Sequence, residues 1–227
     1  IVYDSTGYKA NVRHLSLFEK GFRLKNLQAN ASYADTALTL DNFALVTIHN
    51  NVQGSVRLQY KSVSEIMTSP RDTKLQVDIR PSKLRMDDWA YFAPEMKQNE
   101  SLKNLLGKEI DVSLHARGNL DQLNLSSFRI KTGGNLIQGS ALLTHPTTPE
   151  KISASLKLNE LTTYRNDLKE LLPKGVIEDS LWHYFPEKLT VRGTLDGSMK
   201  SIRPNLNLQT SFGDLAIKGF LDNPTDK

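Results

Sequence analysis

The chain has 227 residues, with 29 basic against 25 acidic side chains, 38% hydrophobic residues and no cysteine. A net charge of +4, spread singly among apolar residues, gives no argument for nucleic acid, and the lack of thiols excludes disulfides, thiolate nucleophiles and cysteine-based zinc sites. The low apolar fraction in a chain this long favours thin, extended architecture over a compact globule. No apolar run approaches ~18 residues, so nothing reads as a membrane-spanning helix. A start at Ile1 rather than Met, and the turn-like Asp222-Asn223-Pro224 near Lys227, make a segment of a longer protein the expectation.

In chain order, the first recurring element is Leu40-Asp-Asn-Phe43-Ala-Leu45-Val-Thr47. It returns as Leu125-Ser-Ser-Phe128-Arg-Ile130-Lys-Thr132 and, shortened, as Leu206-Asn-Leu208-Gln-Thr210. Polar turn residues follow each copy, then an apolar stretch around a glycine: Val52 to Leu58 with Gly54, Ile137 to Leu143 with Gly139, and Ile217 to Leu221 with Gly219. Gly54, Gly139 and Gly219 are 85 and 80 residues apart. A helical insertion is expected over 84–106. There Met86, Trp89, Ala90, Ala93 and Met96 fall at helical spacing, Asp87 and Asp88 suit a first turn, Pro94 stops the helix, and Leu102, Leu105 and Leu106 form a second short turn. Ile110-Asp-Val112-Ser-Leu114-His-Ala116-Arg then alternates without a break, as do Ser155-Leu156-Lys-Leu158 and Leu189-Thr-Val191-Arg-Gly193-Thr-Leu195. Gly118-Asn119, Gly133-Gly134-Asn135, Asp196-Gly197 and Gly213-Asp214 read as turns. A second insertion is expected over 164–185, from Leu168, Leu171 and Leu172, ended by Pro173, and from Leu181, Tyr184 and Phe185, ended by Pro186. Its landmarks repeat the first at a constant offset of 79: Pro94 with Pro173, Ser101-Leu102 with Ser180-Leu181, Leu105-Leu106 with Tyr184-Phe185, and Gly118 with Gly197.

These patterns predict a mainly β fold, a repetitive antiparallel sheet curled into an open trough with short helical insertions. They divide the chain into a first repeat over 1–83, a second over 84–163 with its insertion at 84–106, and a third over 164–227 with its insertion at 164–185. Apolar stripes on the insertions read as core contacts rather than ligand sites.

Little in the chain suggests chemistry. None of His14, His49, His115, His145 and His183 has a second histidine or a carboxylate at metal-ligand spacing on one element, so no metal and no cofactor are expected. Gly133-Gly134-Asn135 lacks the lysine and helix of a phosphate loop, Asp87-Asp88 and Glu178-Asp179 read as helix-start acids, and no Gly-x-Ser-x-Gly elbow is present. No nucleophile is paired with a base, so no enzymatic activity and no catalytic residue are expected.

The run Met86-Asp-Asp-Trp-Ala-Tyr-Phe-Ala-Pro-Glu-Met96 resembles a segment of the TamB-like (translocation and assembly module) proteins of the AsmA superfamily from Bacteroidota. Asp167-Leu-Lys-Glu-Leu-Leu-Pro-Lys-Gly175, Phe185 to Gly197 and Ser211-Phe-Gly-Asp-Leu-Ala-Ile-Lys-Gly219 are similar to further blocks there; the likeness is strongest from about Leu75 to Leu221. The resemblance implies a periplasmic protein of a Gram-negative bacterium, anchored in the inner membrane near its N-terminus, with a long β-sheet forming an apolar-lined trough. It also implies a role in outer-membrane biogenesis with an Omp85-type partner, through a part of the parent outside this chain, and in phospholipid transfer between membranes.

An apolar face on a partly curled sheet must be filled, and acyl chains suit it because they ask no hydrogen bonds of the wall. The groove candidates are Ile110, Val112, Leu114, Ile137, Leu143, Leu189, Val191, Leu206, Leu208 and Ile217. Glycine at Gly54, Gly139 and Gly219 would relieve crowding where the sheet bends. The expected partners are therefore phospholipid acyl chains and not nucleic acid. The alternatives are a structural β-repeat scaffold with a closed core and a soluble carrier of one hydrophobic ligand.

Overall fold

The computed structural model describes residues 2–4, 7–19, 21–92, 99–173 and 175–222. The alternating runs form strands, because an extended backbone sends successive side chains to opposite faces and lets each face meet its own medium. The strands are β1 (Val2–Asp4), β2 (Gly7–Glu19), β3 (Phe22–Ala34), β4 (Ala37–Thr47), β5 (Asn51–Gln59), β6 (Lys74–Leu84), β7 (Ile110–Gly118), β8 (Gln122–Thr132), β9 (Asn135–Thr144), β10 (Ser153–Tyr164), β11 (Lys188–Ser198), β12 (Ser201–Thr210), β13 (Gly213–Lys218) and β14 (Leu221–Asp222). β1 to β13 lie side by side in chain order, each antiparallel to the next, and β14 pairs with β12. β13 does not meet β1, so the sheet stays open rather than closing into a barrel.

Up-and-down order makes the even-numbered strands run the same way. Both long insertions therefore leave one end of the sheet, here termed the helical end. Between β6 and β7 lie α1 (Met86–Phe92) and α2 (Glu100–Lys103). Between β10 and β11 lie α3 (Arg165–Leu171) and a 3-10 turn, Asp179–Tyr184. Ala93, Pro94 and Met96 lie outside the described residues. Short helical turns also occur at the opposite, hairpin end, at Val63–Thr68, Pro70–Asp72 and Pro149–Lys151, where the alternation expected of strands is interrupted. Asp196-Gly197, expected as a turn, lies inside β11, and the chain reverses at Met199-Lys200 instead.

Five strands contain a β-bulge at the same depth. Pairing slips by one residue between Val12 and Leu15, Leu40 and Phe43, Ile79 and Ser82, Leu125 and Phe128, and Leu158 and Leu161. Bulges bend the strand and strengthen its twist, so a line of them folds the sheet along that line. The row Phe43–Gly54–Ile79–Leu114–Phe128–Gly139–Leu158–Gly193–Leu206–Ile217 follows this line. Bulges in β4 and β8 lie on its hairpin side, and those in β6 and β10 on its helical side. Strands β4 to β7 thus recur as β8 to β11, a four-strand unit.

Backbones approach closely on this row. A Cβ on Gly54 would stand 2.1 Å from the carbonyl oxygen of Asp78, and one on Gly139 would stand 2.1 Å from that of Lys157. Gly219 does not share this role. It lies past the end of β13, with nothing within 4 Å of a Cβ placed there. The positional match of Gly139 is Ile217, since Phe128 pairs with Gly139 as Leu206 pairs with Ile217.

Each insertion is pinned by an aspartate in its first helical turn. Asp88 accepts hydrogen bonds from Thr47 Oγ1, from Asn50 Nδ2 at 2.7 Å and from His49 Nδ1 at 2.8 Å, all at the β4–β5 turn. Asp167 accepts from the backbone N–H of Gly134 at 2.9 Å, in the β8–β9 turn. The two aspartates are themselves 79 residues apart, the offset of the other repeat landmarks. The insertions also hold each other: Asn104 Nδ2 donates to the carbonyls of Leu171 at 3.3 Å and Leu172 at 3.0 Å, and Lys108 pairs with Glu170 at 2.8 Å. Leu168, Leu171 and Leu172 are half-buried, so α3 has no buried residue. In the 3-10 turn, Trp182 is buried and packs on Phe185, with ring centroids 5.6 Å apart, whereas Leu181 and Tyr184 are exposed. Three residues per turn put 182 and 185 on one face, away from 181 and 184.

Two predictions follow from these contacts. Gly139→Val is expected to destabilise the fold by about 1–3 kcal/mol in urea unfolding, because the neighbouring backbone cannot yield, whereas Gly219→Ala stays within about 0.5 kcal/mol. Equal effects at both positions would show that Gly139 is not a close-approach site. Partial burial works against the charge on Asp88, but hydrogen bonds from Thr47, His49 and Asn50 outweigh it and hold the carboxyl below its usual range. A lowered folded value contributes stability above the unfolded pKa, about 4, and loses it as pH falls through the folded value. Asp88→Asn is therefore expected to shrink the acid-side fall in Tm below about pH 4; an unchanged acid limb would contradict it.

Candidate functional site

Register assigns every strand residue to a face. Partners across an antiparallel pair share a face, so the pairs Val112↔Ile130, Ile130↔Ile137, Ile137↔Leu161, Leu161↔Val191, Val191↔Leu208 and Leu208↔Leu215 trace one row across seven strands. The next row toward the hairpin end runs from Leu114 through Phe128, Leu158 and Leu206 to Ile217. A further row joins Gly118, Leu123, Leu143, Ala154 and Gly197. Ile110 and Leu189 lie on the same face near the helical end, opposite Leu84 and Thr163. All ten groove candidates thus fall on one face.

That face extends beyond them. Leu40, Val56 and Val77 continue it through β4 to β6, as do Ala10, Val12 and Leu15 in β2 and Leu27 in β3. The opposite face carries Arg57, Gln76, Asp78, His115, Arg129, Lys157, Arg192 and Asn207, with Phe18, Val46, Leu136 and Leu142 as apolar exceptions. Ile130 and Leu161 were not among the groove candidates: Ile130 alternates with Phe128, whereas Leu161 stands three residues after Leu158, across the β10 bulge.

Burial on the apolar face is graded. Ala116 is 3% exposed and Leu158 7%, and Phe43, Ala29 and Ala141 are also buried, all on or beside the bulge line. Each strand packs mainly against the strands before and after it, and among the described residues no second sheet is laid over the face. Concavity accounts for this burial: residues on the fold line are screened by the sheet turning around them. Toward the ends and edges, Leu15, Leu17, Leu38, Ile130, Leu215 and Ile217 are exposed. Of the ten candidates, Ile110 and Val191 are buried, Ile217 is 38% exposed, and the other seven are half-buried.

Among the described residues the middle of the face carries one polar side chain, Ser82, opposite Val112 in the β6 bulge, where its hydroxyl accepts from Gln53 N–H at 3.1 Å and donates to the Arg80 carbonyl at 2.6 Å. Toward the helical end the face finishes in Thr47, Thr132 and Thr163, all buried. Histidines pair with carboxylates on the polar side or at the ends: His115 with Asp78 at 3.1 Å, His145 with Asp121 at 3.4 Å and His49 with Asp88 at 2.8 Å. Among the described residues no group of three metal-ligating side chains occurs, and no helix is long and apolar enough to cross a membrane. The arrangement can hold apolar chains by contact along its length.

Compared with protein-family models, curated proteins and solved structures, the chain gave no match.

The burial gradient sets the energetics. Leu158→Ala, on the floor, is expected to cost about 2–5 kcal/mol in chemical unfolding. Ile217→Ala, near the edge, is expected to cost under about 1 kcal/mol, since little buried surface is lost there. Equal costs would mean that the face is uniformly covered rather than open.

Proposed function

We propose that this chain is a non-enzymatic segment of a periplasmic conduit of the TamB-like, AsmA-superfamily type, and that its apolar face carries phospholipid acyl chains. The observation that supports this reading is the continuous row of apolar side chains crossing strand after strand with no layer packed over it. A single sheet with one apolar face normally buries it against helices or another sheet. Here the insertions gather at one end and leave the length of the face open. A closed scaffold would seal such a face, and a carrier of one ligand would enclose its ligand, whereas this face runs on through repeated units. On the same reading the parent is anchored in the inner membrane, serves outer-membrane biogenesis and meets an Omp85-type partner outside this chain.

Photo-crosslinking in cells tests the proposal. Val112 and Ser113 are neighbours on β7 that face opposite sides. A photoreactive residue at position 112 is expected to capture phospholipid, and one at position 113 is not. Equal labelling at both positions, or at neither while the protein is folded in its full-length context, would remove the conduit and leave the closed scaffold.

A further inference from the structure

A cleft at the hairpin end gathers charges that the sheet itself does not use. Arg57 on β5, Lys74 on β6 and Arg117 on β7 line it together with Gln59, Gln76 and Asp121. Register fixes their arrangement. Arg57 is opposite Gln76 and Gln76 is opposite Arg117, while Gln59 is opposite Lys74. The two arginines therefore flank a neutral glutamine two strand spacings apart, roughly 10 Å, with the lysine beside them on the same face. Among the described residues none of these three cations has an ion-pair or hydrogen-bond partner. Asp121, the one carboxylate among these lining residues, lies 3.8 Å from Arg71 and 3.4 Å from His145, and Asp78 lies 3.1 Å from His115 with its Oδ1 making no hydrogen bond. Three cations against one carboxylate leave the concavity with a net positive charge, which a shared anion would offset.

The cleft also reaches the rim where the two faces meet. Leu75 and Gly118 belong to it, and they are paired on the apolar face. Gly118 places no side chain between the cations and that apolar row, and a Cβ there would stand 2.0 Å from the carbonyl oxygen of Gln122.

We infer that Arg57, Lys74 and Arg117 form a cradle for a phosphate ester at the hairpin-end rim of the sheet. Arginine forks and a lysine ammonium are the donors that suit phosphate oxygens. A phospholipid would fill the cradle with its head group while its chains lie on the apolar row beside Leu75. A free phosphate would fill it alone. The lipid form rests on the conduit reading above; recognition of phosphate does not.

The test uses the purified chain, the variant R57Q/K74Q/R117Q and the control R129Q/K131Q/K157Q. The control removes three other cations from the polar face and matches the variant in net charge. Each protein, checked for its strand signal by circular dichroism, is incubated with detergent micelles holding equal amounts of phosphatidylglycerol and diacylglycerol with identical chains. Native mass spectrometry then counts the bound lipids. The wild-type chain and the control are expected to prefer the phospholipid by roughly tenfold or more, the factor that one charge-assisted hydrogen bond supplies. The variant is expected to load both lipids equally, with its total unchanged. A preference retained in the variant, or lost equally in the control, overturns the inference. Calorimetric titration with inorganic phosphate and with glycerophosphoglycerol identifies the source of the anion. If no protein loads lipid, the conduit reading fails, and the titrations still decide the cradle: phosphate binding lost only in the variant supports it with a free anion as ligand, and no difference among the three proteins overturns it.

Discussion

The direction of each trough-facing side chain depends on strand register. Side chains alternate along a strand, so one uncompensated extra residue would turn every later side chain to the opposite face. The bulged strands contain such a residue and still keep their apolar positions aligned. In four of the five, two apolar residues stand three apart rather than two, as in Leu40-Asp-Asn-Phe43 and Leu125-Ser-Ser-Phe128, and in β6 the pair is Ile79 and Ser82. The bulge absorbs the extra residue in backbone geometry, and the face continues unbroken on its far side. The same distortion bends the strand, so one device both preserves the face and curves it. Glycine opposite the bulge is the counterpart, because the neighbouring carbonyl occupies the place of a Cβ at Gly54 and Gly139.

The insertions fit this scheme as clamps at one end. Asp88 and Asp167 each tie the helix following an even-numbered strand back to the hairpin two strands earlier. Both partners of each tie lie at the helical end, so the tie runs along that end and links strands two apart across the curve of the sheet. Asn104 and Lys108 then link one insertion to the next. Curvature is thus supported from within the sheet by bulges and along its edge by a chain of polar contacts, without any layer over the apolar face.

Much of this was legible in the sequence. Unbroken alternation from Ile110 to Arg117 and from Leu189 to Leu195 is enough to define antiparallel strands with one apolar face. The constant offset of 79 residues also correctly paired Gly118 with Gly197, which occupy matching ends of β7 and β11. The bulges left a trace, the apolar pairs spaced by three, but a local break in alternation acquires meaning only when the partner strand supplies the register. Gly219 was matched to Gly139 by similarity of flanking residues, whereas hairpin geometry counts residues from the turn and selects Ile217. Trp182 was passed over because an α-helical period joins Leu181, Tyr184 and Phe185, while the 3-10 turn has a period of three. Asp88 reads as a helix-start residue, which it is, but its hairpin partners, like that of Asp167, are far away in the chain and invisible to a local pattern.

An open apolar face leaves the fold with a thin core. No described side chain is fully buried, and the least exposed, Ala116 and Asn50 at 3% and Thr47 at 4%, are small or polar. The sheet must therefore draw much of its stability from the strand ladder and from cross-strand pairs rather than from a packed second layer. Any apolar cargo laid on the face would supply that missing layer, and by linkage would stabilise the folded chain as it bound. Its attachment would also be diffuse. Successive strands, about 4.8 Å apart, present much the same aliphatic surface along each row, so an acyl chain gains on the next strand nearly what it gives up on the last. A single deep pocket would trap such a chain, whereas a repeated shallow wall lets it move. The regular spacing of the bulges, which keeps that wall continuous, is for this reason the feature of the fold most closely tied to the proposed conduit.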